Sequence, residues 1–163
     1  MKNSLLLVLA LLALPSCKKD APIPDGFKGA KLGMTRGELK RTVPAATEQG
    51  DYFILTGVEY AGLPARAGLV FNGTDKLQYI FFEFTKEHGG FDQYEEAKKR
   101  LTEEFGKPIR EESNMLAWRT IWGGNEGGNA VMLEQSGPLG DGSFSLVLAS
   151  SETLLRLLTP PEK

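Results

Sequence analysis

The residues predict an α+β domain: a mostly antiparallel sheet with helices packed on one face, in the order α-β-β-β-β-α-β-β-β, with room for a last helix. Three observations predict it. Thr35 opens a capped helix, a helical apolar stripe runs from Phe91 to Phe105, and seven short apolar segments fall four before and three after that stripe.

Within Gly33-Met34-Thr35-Arg36-Gly37-Glu38-Leu39, Thr35 caps a helix N-terminus and Glu38, three residues on, returns a bond to the Thr35 amide. Met34 and Leu39 stand at the two positions of a hydrophobic staple, and Pro44 stops the helix near Val43. Strands follow at Tyr52 to Thr56, Val58 to Ala61, Gly68 to Phe71 and Leu77 to Phe84, the last two joined by a turn that starts Asn72-Gly73. Phe91, Tyr94, Ala97, Leu101 and Phe105 form one helical stripe, and Gly106 and Pro108 end it. Glu95 with Lys99 and Glu96 with Arg100 are spaced for ion pairs on the wet side. Strands at Leu116 to Trp122, Ala130 to Gln135 and Ser143 to Ala149 come next, and Ser151 to Leu158 reads as a terminal helix.

Composition limits the function classes. Lys plus Arg number 19 against 21 Asp plus Glu, a net charge of −2, so the basic excess of a nucleic-acid binder is missing. One Cys forbids an intramolecular disulfide, and one His forbids a His-rich metal site. The 19 glycines and 41% apolar residues fit a turn-rich globular domain.

Residues 1–16 read as a signal peptide: Lys2, an apolar run from Leu5 to Leu14, then Pro15 and Ser16. That run is too short for a ~30 Å hydrocarbon core, which needs ~20 residues. Leu14-Pro15-Ser16-Cys17 resembles the processing box of bacterial lipoproteins. The resemblance implies cleavage before Cys17, a diacylglycerol thioether on it and an acylated amino group, hence a lipid bilayer as partner. Lys18 after the cysteine, in place of the Asp tied to inner-membrane retention, implies the periplasmic face of the outer membrane. Residues 17–29 then read as the lipidated cysteine and its tether, 30–159 as the single domain and 160–163 as a tail.

The stretch from Leu32 to Ile80 carries Leu32-Gly33-Met34-Thr35, a short helix, Gly68-Leu69-Val70-Phe71-Asn72 and Lys76-Leu77-Gln78-Tyr79-Ile80. It resembles the outer-membrane lipoproteins of the SmpA/OmlA type, which look like the α/β repeat of β-lactamase inhibitory proteins. A second helix ending Phe105-Gly106-Lys107-Pro108 reads as a degenerate second repeat. The resemblance covers about fifty residues and implies fold and compartment more than activity.

Residues that carry chemistry are sparse. His88 sits alone in Lys86-Glu87-His88-Gly89-Gly90, and Gly140-Asp141-Gly142-Ser143 lacks the spacing of a nucleophile elbow. Glu103-Glu104 and Glu111-Glu112 are neighbours on surface segments, not an acid/base pair, and Gly123 to Asn129 is a glycine turn without the Lys-Ser/Thr of a phosphate loop. No catalytic residue, metal or cofactor is expected. What rises above background is Leu77 to Phe84, apolar on both faces: Gln78, Ile80, Phe82 and Phe84 on one, Leu77, Tyr79, Phe81 and Glu83 on the other. Either the second face is buried, capped by the last helix, or it is an exposed surface that binds a partner. Trp118 and Trp122 share a face in the same way, so the candidate partner-binding residues are Tyr79, Phe81, Trp118 and Trp122. The leading expectation is a non-enzymatic envelope lipoprotein that binds another envelope protein. The alternative is a small-ligand or inhibitor module with a pocket of Tyr52, Tyr60, Tyr79 and Trp118, and a hydrolase built on His88 comes third.

Overall fold

The computed structural model describes residues 21–84, 91–115, 117–123, 128–136 and 144–159. The leader, Cys17, His88, the middle of the 123–129 turn, residues 140–143 and the 160–163 tail lie outside the described residues. The elements in order are β1 (Gly26–Phe27), β2 (Ala30–Lys31), α1 (Arg36–Thr42), β3 (Thr47–Gln49), β4 (Tyr52–Tyr60), β5 (Leu63–Phe71), β6 (Leu77–Phe84), α2 (Phe91–Phe105), β7 (Arg110–Ser113), β8 (Ala117–Gly123), β9 (Asn129–Ser136), β10 (Phe144–Ser150) and α3 (Ser151–Leu158). The fold is α+β, in the expected order.

β1 and β2 make a small ribbon, and the other eight strands form one sheet ordered β3-β4-β5-β6-β10-β9-β8-β7, antiparallel throughout. The topology repeats. Each helix, α1 or α2, is followed by a four-stranded meander, and the two meanders meet through their last strands, β6 and β10. At that seam the Phe84 and Phe144 rings stack with centroids 4.5 Å apart.

Side chains alternate across the sheet, so each cross-strand row belongs to one face. Phe53, Leu69, Ile80, Leu148, Val131 and Trp122 form a row through six adjacent strands, each at most 1% exposed. This face packs against Leu39 of α1, Val43 at its C-terminal cap, and Tyr94, Ala97, Leu101 and Phe105 of α2. The opposite face carries Ile121, Ala130, Met132 and Ala149, and these pack against Leu154 of α3. The helices are therefore not all on one face: the last one lies on the other, the side it was expected to cap if that face were buried, although over β8 to β10 and not over all of β6. Strand parity fixes which residues share a face but not which face a later helix covers.

Three further expectations change. Val58 to Ala61 is not a separate strand, because β4 runs through a bulge between Leu55 and Val58 in which Gly57 takes φ +63°. A second bulge pairs Phe71 with Leu77 but Val70 with Tyr79, so Gln78 is the extra residue. Leu77, expected beside Tyr79 and Phe81, is thereby turned into the helix-covered core. Residues 21–29, expected in the tether, pack on the domain instead. The Ala21 amide donates to the Glu104 carbonyl at 2.9 Å and Asn129 Nδ2 to the Pro24 carbonyl at 3.0 Å. Ile23 packs on the core, while the Phe27 ring meets Phe82 edge-on at 4.8 Å and Tyr60 at 5.7 Å. Residues 21–29 therefore belong to the packed domain, through apolar contacts that a polar, proline-bearing stretch scarcely advertises.

The capping box forms as read. The Glu38 amide donates to Thr35 Oγ1 at 3.2 Å, and the Thr35 amide and hydroxyl donate to Glu38 Oε2 at 2.7 and 2.9 Å. The bond from the Thr35 amide, then that from its hydroxyl, holds the Glu38 carboxyl below its ordinary range. A lowered carboxyl stabilises the fold above its unfolded pKa, and that support fades as pH falls through the folded value. Thr35→Ala is expected to lower the unfolding free energy by ~1 kcal/mol in a urea titration, within the usual range for a lost cap. An unchanged midpoint would show that packing of Leu39 alone holds α1.

Candidate functional site

The face opposite α1 and α2 is covered by α3 only over β8 to β10. Toward β4 it stays open. Tyr52, Val70 and Tyr79 form one row there, and Ile54, Gly68, Phe81 and Val147 form the next. Tyr52, Val70, Tyr79, Phe81 and Val147 are half-buried, and Ile54 is buried beneath them at 5% exposure. Gly68 makes this surface what it is. A Cβ there would stand 2.1 Å from Phe81 Cζ, so only glycine lets the ring lie across β5. From that position it meets the Tyr52 ring at 6.4 Å.

The following row on this face is charged: Arg66, Glu83, Ser145, Glu134, Arg119 and Glu112. Arg66 Nε donates to Glu83 Oε2 at 3.0 Å, Arg119 pairs with Glu134, and Arg119 Nη1 stands 3.8 Å from Glu112. An aromatic and aliphatic strip beside a row of paired charges has the anatomy of a protein-binding patch, an apolar centre with a polar rim.

A cleft of about 240 Å³ lies on the other face, between α2 and β7–β8, lined among others by Tyr94, Lys98, Glu111, Trp118 and Thr120. Tyr94 Oη and Thr120 Oγ1 share a hydrogen bond of 3.0 Å, and Lys98 Nζ donates to Glu111 Oε2 at 2.6 Å. Burial pushes the Tyr94 phenol above its ordinary pKa, and the Glu111 bond raises that of Lys98. At neutral pH this leaves a neutral phenol beside a charged ammonium. Among the described residues no three His, Cys, Asp or Glu side chains converge on a metal position.

The four candidate partner-binding residues do not make one surface. Tyr79 and Phe81 lie on the open face, whereas Trp118 and Trp122 point to the α2 side. Trp122 is 0% exposed and belongs to the core, so it is withdrawn from the binding face. Trp118 is half-buried against Tyr94, ring centroids 6.5 Å apart, and lines the cleft. The aromatic pocket also fails to assemble: Tyr52 and Tyr79 lie on one face, Tyr60 and Trp118 on the other. Tyr60 is packed against Phe82 at 4.3 Å, and burial, with the nearby Glu104 charge, drives its phenol pKa far up.

A third feature went unread in the sequence. Ile109, Ile121, Ala130, Leu154, Leu155 and Leu158 line an apolar cleft of about 120 Å³ between α3 and the β7–β8 edge. Its signal was the four leucines in the eight residues of α3, more than one buried stripe accepts.

These features define an α+β sheet domain with an apolar strip left open, a polar cleft against α2 and a smaller apolar cleft against α3. Comparison with protein-family models, curated proteins and solved structures finds no match to this chain. Among the described residues no helix is long and apolar enough to cross a membrane.

Proposed function

We propose that this chain is a non-enzymatic lipoprotein of the cell envelope, akin to the SmpA/OmlA type, which binds another envelope protein through the open strip of its sheet. Leu14-Pro15-Ser16-Cys17 supports the anchor, a thioether-linked lipid on Cys17, and Lys18 supports the periplasmic face of the outer membrane as the address. One observation carries the binding role: the half-buried strip of Tyr52, Val70, Tyr79, Phe81 and Val147 beside a row of paired charges. Tyrosine and phenylalanine on a rigid sheet give contact area at little entropic cost, which suits an interface.

A second reading, a small-ligand module, is favoured by the cleft where Trp118 stands beside the Lys98–Glu111 pair. Photo-crosslinking residues at positions 79, 81 and 118 separate the two in intact envelopes. A protein adduct from 79 and 81, with none from 118, is the expected result. A protein adduct from 118 alone would move the interface to the cleft, and no adduct from any of the three would end the partner-binding reading.

A further inference from the structure

The structure fixes which end of the domain a lipid on Cys17 would hold down. Ala21 is tied to Glu104 at the close of α2, and Ile23 touches Gly123 at the end of β8, where an added Cβ would come within 2.5 Å of its side chain. Cys17 lies four residue steps before Ala21, at most ~14 Å of extended chain. The same end of the sheet carries two other features. The Ile109 amide donates to the Ile121 carbonyl at 2.9 Å, two residues before Gly123, and the Ser151 amide donates to the Gly128 carbonyl at 2.9 Å, which sets the start of α3 beside the β8–β9 turn.

Apolar side chains stand exposed there. Ile109 is 53% exposed and Leu155 is 58% exposed, and both line the cleft closed by Leu154 and Leu158. Lys107, two residues before Ile109, is exposed as well. Leu157, also exposed, sits about 160° round the helix from Leu155 at 100° per residue and belongs to the other flank. Two side chains on one ridge are far short of the ~800 Å² per partner of a stable protein interface. An apolar ridge beside an exposed lysine, within one short tether of an anchor, matches a lipid surface.

We propose that Ile109 and Leu155 rest in the headgroup boundary of the bilayer that holds Cys17, so that α3 and the β8–β9 end face the lipid. This rests on the lipid-anchor reading above. The arrangement turns the Asn114–Ala117 end of β8, with Met115 at 72% exposure, away from the bilayer.

The test uses the mature full chain reconstituted in vesicles of phosphatidylethanolamine and phosphatidylglycerol. Ile109→Cys, Leu155→Cys and Met115→Cys each carry a nitroxide, and collision rates with oxygen and a water-soluble nickel chelate are compared. The oxygen-to-nickel ratio is expected to be several-fold higher at 109 and 155 than at 115. Equal ratios at all three positions, in protein that floats with the vesicles, would overturn this orientation and leave the anchor standing, as would a higher ratio at 115. Protein that stays in the aqueous fraction would overturn both.

Discussion

Trp122→Ala is expected to lower the unfolding free energy by ~3–5 kcal/mol, the range for emptying a large aromatic site in a closed core. Trp122 is 0% exposed and ends the row that runs from Phe53 through Leu69, Ile80, Leu148 and Val131. Every neighbour in that row is itself fixed by two strands, so little can relax into the space. A domain of this size holds only ~5–15 kcal/mol of stability, so about a fifth or more of it would go. Thermal unfolding followed by circular dichroism should show the midpoint fall by ~10 °C or more. Trp118→Ala, which empties a half-exposed site, should fall by less than half as much. Equal shifts for the two would mean that the α2-covered face is not the main core. Among the described residues the Trp122 Nε1 has no hydrogen-bond partner. Trp122→Phe should therefore cost less than the lost volume alone implies, because it removes a buried donor that has nothing to bond.

The second large effect concerns the anchor. Cys17→Ala is expected to abolish acylation and leave residues 1–16 attached, a larger species on a denaturing gel that incorporates no labelled fatty acid. The chemical reason is that alanine has no sulfur to carry a thioether, and the sequence holds no second cysteine to take its place. Without the acyl chains, each buried CH₂ of which contributes ~0.8 kcal/mol, the bilayer attachment is lost as well. If the Cys17→Ala protein still took up fatty acid and migrated as the native form, the processing box would have been misread.

Much of the fold was legible in the sequence, for reasons that differ by element. Thr35 with Glu38, and the stripe ending at Phe105, mark α1 and α2 through local chemistry that tertiary packing did not overrule. The central strands declared themselves as short apolar runs bounded by turn residues. β3 and β7 did not, because Thr47–Gln49 and Arg110–Ser113 are almost wholly exposed and polar, and only pairing with β4 and β8 makes them strands. One-residue bulges at Gly57 and Gln78 were equally silent, and the second carried Leu77 to the other face. The candidate site was half legible. Parity put Tyr79 with Phe81 and Trp118 with Trp122, but the layer that covers each pair is set by where α2 and α3 land, which no single strand records.

The measurement that bears most directly on the whole account is mass spectrometry of the N-terminal peptide from protein extracted out of native membranes. The account predicts a chain that begins at Cys17 and carries diacylglycerol on sulfur and an acyl group on nitrogen. A free thiol at Cys17, in protein recovered from the aqueous fraction after cell disruption, would contradict it.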